Sequence, residues 1–432
     1  MCAVSKASLQ PPRGTRDFYP EDLRLRSWLF DHFRETSRRF GFEEVDAPVL
    51  EHAELYQRKA GEEIVDQLYH FELHGRHLAL RSEFTPSLAR MVMARQGGLR
   101  LPIRWFSIPQ CWRYERMTRG RRREHYQWNM DVWGEPDVTA EAELIAAIFH
   151  ALDRMGLAAT DVRMRINHRA LLEETLREDF LKDRPRAFEP LCVIIDKLDK
   201  IGPDGVADQL ADADGLVGLP RVDAEAVVAR LQAKGLDEAA HGVADDSPSL
   251  AQLRRLFELL DGYGVADRVA FDASVVRGLA YYTGVVFEAF DTGGTLRAIC
   301  GGGRYDRLLE ALGGKPLPAV GFGFGDAVIA ELLADRGLLP DLGRGLDAVV
   351  YPMGEAERPA AQRLARALRR EGHSVELVLG HPKARRVFSD ADKAGAARVY
   401  VIGEDERERG VTKVRDLGTG EEREEPLPDR RS

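Results

Sequence analysis

The stretch from Arg104 to Gly134 constrains the fold of this chain more than any other. Apolar and polar residues alternate along 101–133, as in antiparallel strands, and Gly120 marks a turn between them. Six arginines lie within eleven residues at this turn, and four of the five tryptophans flank them: Arg113, Arg116, Arg119, Arg121, Arg122, Arg123, Trp105, Trp112, Trp128 and Trp133. Guanidinium groups bind phosphates and aromatic rings stack on bases. The stretch therefore predicts a nucleoside triphosphate site on two strands; a solvated charged turn, the plainer alternative, does not need the tryptophans.

Composition excludes several classes of protein. The 432 residues are 44% hydrophobic and 31% charged, which indicates a folded chain and not a disordered or fibrous one. A net charge of −9 argues against nonspecific coating of nucleic acid but leaves room for a local basic surface. No run approaches the roughly 18 uncharged apolar residues of a membrane helix, and the first sixteen residues lack the apolar core of a secretory signal. We therefore expect no membrane association.

The cysteines are scattered and form no CxxC pair: they are Cys2, Cys111, Cys192 and Cys300. A structural zinc site or a disulfide framework is therefore not expected. The spacing favours a reducing compartment, and we expect a cytoplasmic protein.

Periodicity predicts an ordered series of helices and strands. The first half contains a helix at 21–40, a strand at 42–50 and a helix at 139–156. The stretch 166–250 is rich in Leu, Ala and Asp without strong strand signals, which favours a helical insertion. Strand patterns return at 268–290 and 295–301, and another helix starts at Asp326. After a Gly- and Pro-bearing linker at 335–346, an α/β alternation predicts a small mixed sheet, and the charged last dozen residues are expected to fray.

Several segments carry a family resemblance, and they occur in order along nearly the whole chain. They are PPRGTRDFYP (11–20), the helix 21–40 with the strand ending at Pro48, LRSEFTPSLAR (80–90), the Arg113-x-Glu115 strand with its loop, VVRGLAYYTGVVFE (275–288), ICGGGRYDRLL (299–309), DKAGAARVYVIGEDE (392–406) and VTKVRDLGTGE (411–421). The chain thereby resembles the histidyl-tRNA synthetases, a family of class II aminoacyl-tRNA synthetases.

This resemblance implies an α+β fold. A class II antiparallel sheet flanked by helices is expected, with a helical insertion and a C-terminal α/β anticodon-binding domain. The implied boundaries are 1–165 for the first catalytic part with motifs 1 and 2, 166–255 for the insertion, 256–335 for the second catalytic part with the histidine motif and motif 3, 336–344 for a linker, and 345–432 for the anticodon-binding domain. Motif 1 implies a homodimer.

The implied activity is ATP-dependent attachment of L-histidine to its tRNA through a histidyl-adenylate. The resemblance assigns Arg113 and Arg277 as catalytic residues that face the α-phosphate of ATP. It also implies an ATP-binding set composed of Arg113, Glu115, Arg121, Arg123, His125, Arg277 and Gly325. Mg²⁺ is expected on the phosphates, whereas no other cofactor and no dedicated metal site is expected.

Histidine has a recognisable chemical requirement. Its neutral imidazole offers one donor and one acceptor, so a selective site needs one partner for each. The resemblance assigns a histidine-binding set to Asp131, Tyr281 and Tyr282 around the ring, and to Glu83, Thr85 and Gln127 around the amino and carboxylate groups. For Arg277 and Glu83, considered apart from their motifs, a salt-bridged arginine and a surface acid are equally ordinary interpretations.

Glycines and one departure leave alternatives open. Gly321, Gly323 and Gly325 alternate along one strand face; they clear space for a flat ligand or for a packed helix, and the residues alone favour packing. Val328 stands where motif 3 normally carries an arginine. Arg121, Arg304 or Arg307 could compensate for it.

The departure at Val328 favours another function, a noncatalytic histidine-binding regulatory subunit of ATP phosphoribosyltransferase. That paralogue typically lacks the anticodon domain that 345–421 resembles. The sensor domain of a stress kinase is remote, because no kinase loops occur.

Overall fold

The structure is a computed structural model, and it divides into two compact units, residues up to Leu339 and residues from Pro340. It describes residues 9–57, 67–120, 122–184, 186–233, 235–240, 243–244, 246–277, 281–294 and 296–429.

The first unit contains both strands and helices. Its strands are β1 (Glu43–Glu44), β2 (Leu50–His52), β3 (His70–Leu73), β4 (Arg76–Leu80), β5 (Ile103–Ser107), β6 (Gln110–Trp112), β7 (Glu124–Trp133), β8 (Val162–His168), β9 (Val269–Phe271), β10 (Val285–Asp291), β11 (Cys300–Arg304) and β12 (Ala319–Gly325). Its helices are α1 (Pro20–Arg39), α2 (Glu54–Gln57), α3 (Thr85–Arg95), α4 (Thr139–Arg154), α5 (Arg169–Leu176), α6 (Phe188–Ile195), α7 (Leu198–Ala211), α8 (Arg221–Arg230), α9 (Leu236–Ala239), α10 (Pro248–Gly262), α11 (Leu308–Ala311) and α12 (Asp326–Asp335). A π-helical turn at Arg177–Leu181 and a 3₁₀ turn at Ala266–Arg268 complete it.

Among the described residues, nine strands form one large sheet. Its order is β1-β5-β7-β12-β11-β10-β8-β9, and β6 pairs with β7 off this path. The central pairings from β5 to β8 are antiparallel, and β1 and β9 run parallel to their neighbours at the two edges. A separate sheet has the order β2-β4-β3. The predicted antiparallel sheet flanked by helices is confirmed.

One face of the large sheet is packed against helices. Trp128 and Phe324 on this face are fully buried, and the ring of Phe33 from α1 stacks on Trp128 at 4.7 Å. Helix α4 is apolar almost all round and lies in the same core, as a fully enclosed helix must. The other face of the central strands is covered only in part, by a second apolar cluster that includes α3.

The predicted strand at 42–50 is wrong as a single element. It divides into β1 and β2, which belong to different sheets. Between them, the guanidinium of Arg81 donates to the Asp46 carboxylate at 3.0 Å and to the Ala47 carbonyl at 2.7 Å, and Pro48 has no N–H for a ladder. The chain is therefore held out of either ladder here and changes sheet.

Helices α5 to α10 occupy most of the stretch 166–255 that was predicted as a helical insertion, although residues 166–168 belong to β8. The described residues from α5 to α10 contain no strand. Leu172, Leu191, Leu210 and Val227 from four of these helices form a separate apolar core. Val276, which lies outside the insertion in sequence, is buried in the same core beside Arg277.

The second unit is the predicted small mixed sheet with helices. Its strands are β13 (Ala348–Pro352), β14 (Val375–Leu377), β15 (Arg398–Ile402), β16 (Val411–Asp416) and β17 (Glu422–Pro426), and its helices are α13 (Arg358–Arg370), α14 (Ala384–Lys393) and α15 (Glu404–Arg409). The order is β14-β13-β15-β16-β17, in which β13 pairs in parallel with β14 and β15 while β16 and β17 are antiparallel.

The prediction that the last dozen residues fray is wrong for β17. This strand pairs along its length with β16. Its charges find partners: Glu424 pairs with Arg409 at 2.7 Å, and Glu422 lies 3.5 Å from Arg415. A charged segment therefore forms an edge strand because its neighbours supply the opposite charges.

Within the described part of the chain, the helices are all too short or too polar to cross a lipid bilayer.

Candidate active site

The glycines of β11 and β12 leave one face of the large sheet without side chains. Gly301 lies opposite Gly323 in the ladder between these strands, and Gly303 lies opposite Gly321. Because side chains alternate between the two faces along a strand, all four glycines open on the same face. A recess two strands wide results, on the side away from the packed core.

Two side chains from outside these strands lie directly above the glycines of β11. A Cβ atom at Gly301 would lie 2.5 Å from Nη1 of Arg277, and one at Gly303 would lie 2.9 Å from the ring of Tyr282. Any larger residue at either position would displace its neighbour. The glycines therefore admit an arginine and a tyrosine close to the sheet.

The glycines of β12 admit two side chains from the adjacent strand β7. Cβ atoms at Gly321 and Gly323 would overlap the carboxylate of Asp131 and the amide of Gln127, whereas Gly325 has open space above it. The helix-packing interpretation is therefore wrong for Gly321 and Gly323, because polar side chains and not a helix occupy their space.

Asp131 is a buried acid with half of its hydrogen-bonding capacity unused. Its side chain is 2% exposed, and Oδ1 accepts a hydrogen bond from the hydroxyl of Tyr305. Oδ2 is buried without a partner among the described residues. Burial raises the pKa of Asp131 to about 7. A buried acceptor of this kind is satisfied when a ligand brings a donor to it.

Glu83 lies just before the N-terminus of α3 and is also buried. Its Oε2 accepts a hydrogen bond from the Tyr281 hydroxyl at 2.9 Å. Burial raises the pKa of Glu83, and the charges of Arg113 and Arg277 act in the opposite direction. Thr85 begins α3 and is buried beside it. The two predicted catalytic arginines are thus near enough to one buried carboxyl to act on it together.

Arg277 adopts a backbone conformation that residues other than glycine rarely take. Its φ is +57°, in the left-handed region. Its Nη1 donates to Glu288 Oε1, and its Nε is buried without a partner among the described residues. Burial lowers the pKa of Arg277, but the charges of Glu288 and of other neighbouring groups together outweigh burial and raise the pKa. The group therefore stays a fixed cation; residues 278–280 of the same motif lie outside the described residues.

Arg113 follows β6 in the predicted arginine-rich hairpin. Its Nε donates to the carbonyl of Ser82 at 2.9 Å, and its Nη1 lies 4.0 Å from Glu115. About a quarter of its side chain is exposed. One nitrogen of the fork therefore fixes the group, while the exposed part of the guanidinium is available to an anion.

Other residues of the predicted ATP-binding set are spread along the same hairpin. His125 is half-buried on the face of β7 that also carries Gln127 and Asp131. The guanidinium of Arg123 lies over the ring of Tyr114 at 3.8 Å. Arg121 lies outside the described residues.

The tip of the hairpin lies against helix α12. Arg119 pairs with Glu331 at 3.0 Å and with Asp335 at 2.6 Å. A Cβ atom at Gly120 would lie 3.1 Å from the side chain of Val328, the residue at the motif 3 arginine position. The small residues at these two positions allow the loop to contact the helix closely.

No cluster of His, Cys, Asp and Glu side chains suited to a metal occurs in the described ranges. The site instead combines two buried carboxyls, two arginines and three tyrosines on a glycine-lined sheet face. Such a set can neutralise an anion and hydrogen-bond a small polar ligand.

Comparison with known families identifies the family to which the chain belongs. A family model described as histidyl-tRNA synthetase matches residues 14–325, and one described as anticodon binding domain matches residues 347–428. The chain belongs to the histidyl-tRNA synthetase family. Members of this family are aminoacyl-tRNA ligases, so the chain is an enzyme of that class.

Relatives match over nearly their full length. A histidine–tRNA ligase of Arabidopsis thaliana, named as chloroplastic/mitochondrial, is 49% identical over 98% of this chain and 86% of the relative. A histidine–tRNA ligase of Opitutus terrae is 41% identical over 97% of this chain and 96% of the relative. The crystal structure of histidyl-tRNA synthetase from Nostoc sp. PCC 7120 has a TM-score of 0.77 at 24% identity over 96% of both chains, and it shares the fold. The regulatory-subunit alternative is not favoured by these matches.

The family's missing motif 3 arginine is not replaced by Arg304. That side chain is buried and pairs with Glu141 at 2.6 Å on the packed side of the sheet. Of the three arginines considered as a replacement, Arg304 is therefore excluded, because its guanidinium is already used in the core. Arg307 is exposed after β11.

Two residues of the site were missed by sequence reasoning. Tyr305 donates to Asp131, and Glu288 holds Arg277. A signal for Tyr305 was present, since it continues the alternation of Gly301 and Gly303 onto the same face. Glu288 gave none beyond its place in a strand.

Proposed function

We propose that this synthetase activates L-histidine with ATP to histidyl-adenylate and then transfers the histidyl group to histidine tRNA. The observation that carries the proposal is the pair of buried carboxyls, Asp131 and Glu83, beside Arg113 and Arg277 on the glycine-lined face. A neutral imidazole, an α-amino group and an anionic centre are the three features that such a set complements.

In the first step, the histidine carboxylate attacks the α-phosphorus of ATP and pyrophosphate leaves. Both reactants are anions, so the site must neutralise and align them. We assign this role to Arg113 and Arg277. The support is that each is anchored by the protein, Arg113 by Ser82 and Arg277 by Glu288, so little reorganisation is needed as charge develops.

Recognition of the histidine side chain is assigned to Asp131 and Tyr282, with Tyr281 beside them. The unpartnered Oδ2 of Asp131 supports this assignment because it can accept an imidazole N–H. Glu83, Thr85 and Gln127 are assigned to the amino and carboxylate end. A ligand without a ring donor would leave Oδ2 buried and unpaired, which is the basis of selectivity.

ATP is assigned to the hairpin. Glu115 and His125 are assigned to the adenine base, Arg121 and Arg123 to the outer phosphates, and Gly325 to the sheet surface beneath the nucleotide. ATP enters as its Mg²⁺ complex, which is the substrate form. The outer phosphates and water supply most ligands of Mg²⁺ in such complexes, so a protein cage is not required.

A homodimer is also proposed. Leu50, Phe71 and Leu73 are 42%, 44% and 50% exposed, and Phe71 faces Leu78 across the β3–β4 pair. Exposed apolar side chains on one sheet are typical of subunit contacts. Sedimentation of the Phe71→Glu variant tests this: a monomer is expected beside a dimeric parent, and a dimeric variant would contradict it.

We propose a reducing location, the cytoplasm or the interior of an organelle that makes protein. The described cysteines Cys111, Cys192 and Cys300 are buried free thiols, which supports this. Cell fractionation tests the proposal; recovery from an oxidising compartment would contradict it.

The first experiment is histidine-dependent exchange of labelled pyrophosphate into ATP by the purified protein, with the other amino acids as controls. Exchange with histidine alone is expected, and it would also show that Val328 supports ATP binding. Histidine binding without exchange would overturn the adenylation proposal.

A second experiment separates the two units. Removal of residues 340–432 should weaken tRNA charging far more than pyrophosphate exchange, because that unit matches the anticodon-binding family. Equal losses of both activities would contradict an anticodon role.

A further inference from the structure

The segment that carries Arg277 is held by one side chain from β8 and one from the start of α5. Nδ2 of Asn167 donates to the carbonyls of Ala273 at 2.9 Å and Val275 at 3.1 Å. Arg169, the first residue of α5, donates from Nη1 to the carbonyl of Arg277 at 3.4 Å. Alternate carbonyls along 273–277 are therefore fixed at the junction between β8 and α5.

Arg169 is also tied to α6, the next helix of the insertion. Its side chain is 3% exposed, and its Nη2 donates to Oε2 of Glu189 in α6 at 2.5 Å. One face of its guanidinium lies 5.8 Å from the ring of Phe188. The same guanidinium thus contacts α6 and the backbone of Arg277.

The two valines before Arg277 also connect the candidate site with the core of the insertion. Val275 is buried with Tyr281, Tyr282 and Tyr305 under the site. Val276 is buried in the core of the insertion. Successive residues therefore belong to different cores, and the next residue has a positive φ. A backbone in this region persists when its surroundings hold it there.

We propose that Arg169 is a positioning residue that holds the backbone of Arg277 in its left-handed conformation and so places the Arg277 guanidinium over Gly301. This inference rests on the proposed function of Arg277. It assigns the insertion a part in adenylation, because Arg169 begins its first helix, α5, and Glu189 in α6 fixes the Arg169 side chain. The residue touches no reacting atom in this scheme and acts through Arg277.

The main test is the Arg169→Met variant, which keeps a long side chain and removes the donors. The kcat of histidine-dependent pyrophosphate exchange should fall about tenfold to a hundredfold, as expected for misplacement of a catalytic group. The KM values for histidine and ATP should change by less than about twofold, because the histidine-binding residues remain in place. A rise in KM with unchanged kcat would overturn the proposal.

The chain offers a closely matched control. Arg268 is also buried, 6% exposed against 3%, and it also pairs with a half-exposed carboxylate, Asp153 at 57% against Glu189 at 54%. Arg268→Met should lower the melting temperature to a similar degree and leave kcat unchanged. An equal loss of kcat in both variants would show that Arg169 is only structural.

Two further variants test the route. Arg169→Met placed in an Arg277→Lys background should cause no additional loss of kcat, because the effect passes through Arg277; an additive loss would overturn the route. Glu189→Gln keeps both arginine donors and should lower kcat less than Arg169→Met does. A larger loss in Glu189→Gln would contradict the carbonyl contact as the main link.

A crystal structure of Arg169→Met separates this inference from the proposed function. The variant should show Arg277 with its guanidinium moved away from Gly301 and Glu288. An unchanged Arg277 would overturn the positioning role even if exchange is lost. Absence of exchange in the parent protein would overturn the proposed function while this structural readout still decides the role of Arg169.

Discussion

The five-stranded sheet of the second unit and the large sheet of the first unit differ in how their faces are covered. In the second unit, Val350 and Ile402 on one face are buried with α13, and Val349 and Tyr351 on the other face are buried with α14. Both faces of its central strands are filled by apolar side chains. This sheet stabilises its unit in the ordinary way, through burial on two sides.

The large sheet is filled by apolar side chains on one face, whereas its other face is covered only in part, beside α3. Phe322 and Phe324 of β12 lie in the core, whereas Gly321 and Gly323, which alternate with them, lie under Asp131 and other polar groups of the site. Buried polar atoms without partners reduce stability. The comparison shows that the two phenylalanines of β12 contribute to the core, whereas the two glycines that alternate with them admit the polar side chains of the candidate site.

The largest effect is expected at Arg277, on the polar face. Arg277→Lys keeps the charge and removes the planar fork, so we expect pyrophosphate exchange to fall about 10²–10³-fold, with histidine binding nearly unchanged. Single-turnover adenylation and equilibrium binding measure the two quantities. Arg165→Lys is the matched control, since Arg165 lies opposite Glu288 in the β8–β10 ladder. Normal turnover in Arg277→Lys would remove Arg277 from the mechanism.

Two adjacent glycines of β11, Gly301 and Gly302, lie on opposite faces of the sheet and so allow a direct comparison of the two faces. Gly302 faces the core, and a Cβ there would lie 2.7 Å from both the Phe287 ring and the Phe322 Cβ. Gly302→Ala should therefore lower the free energy of unfolding by about 1–3 kcal/mol or more. Gly301→Ala should instead displace the flexible end of Arg277, with at least about a tenfold loss of exchange and little change in stability. Chemical denaturation measures the free energy of unfolding, and the exchange assay measures activity. Equal changes of both quantities in the two variants would contradict the comparison.

The buried acid of the polar face predicts a pH dependence. The pKa of Asp131 is raised from 3.8 to about 7, so between these values the folded protein holds a proton that the unfolded chain has released. The contribution of Asp131 to the free energy of unfolding is therefore highest at low pH. It falls by up to about 1.4 kcal/mol per pH unit as pH rises towards 7. Asp131→Asn removes this dependence.

The measurement is the free energy of unfolding of both proteins from pH 4 to pH 8 without ligand. The free energy of unfolding of Asp131→Asn, relative to that of the parent, should rise with pH up to about pH 7 and then stay constant. A difference independent of pH would show that Asp131 does not titrate in this range.

The smallest effect is expected in the second sheet. Ile402 is fully buried there, and Ile402→Val should lower the free energy of unfolding of that unit by about 0.5–1.5 kcal/mol. Pyrophosphate exchange should remain at the parent level because this sheet carries no adenylation residue. Reduced exchange in this variant would mean that the filled sheet contributes to adenylation as well.

Local sequence patterns predicted the elements that depend on local chemistry. The alternation in 101–133 and the glycine at its turn predicted β5, β7 and the hairpin. The catalytic role of Arg113 stays a prediction, and it rests on a motif that is contiguous in sequence. The prediction for 42–50 was wrong because Arg81, which is distant in sequence, decides where the chain leaves one sheet for another.

The parts that could not be predicted depend on pairs far apart in the chain. Tyr305 and Asp131 are 174 positions apart, and only the strand order brings them together. Arg304, one of the three arginines considered as a replacement at Val328, follows the glycines of the recess in sequence, but its side chain points to the other face and pairs with Glu141. A residue type and a motif therefore indicate chemistry, but strand parity decides on which face it acts.

The four glycines of the recess have a consequence for how this enzyme can change its substrate. They already carry the smallest side chain, so replacement at these positions can only take room away. Enlarging or reshaping the pocket must instead come from the residues above them, Asp131, Gln127, Tyr282 and Arg277. Laboratory evolution towards histidine analogues should therefore accumulate changes among the lining residues and keep the glycine floor intact.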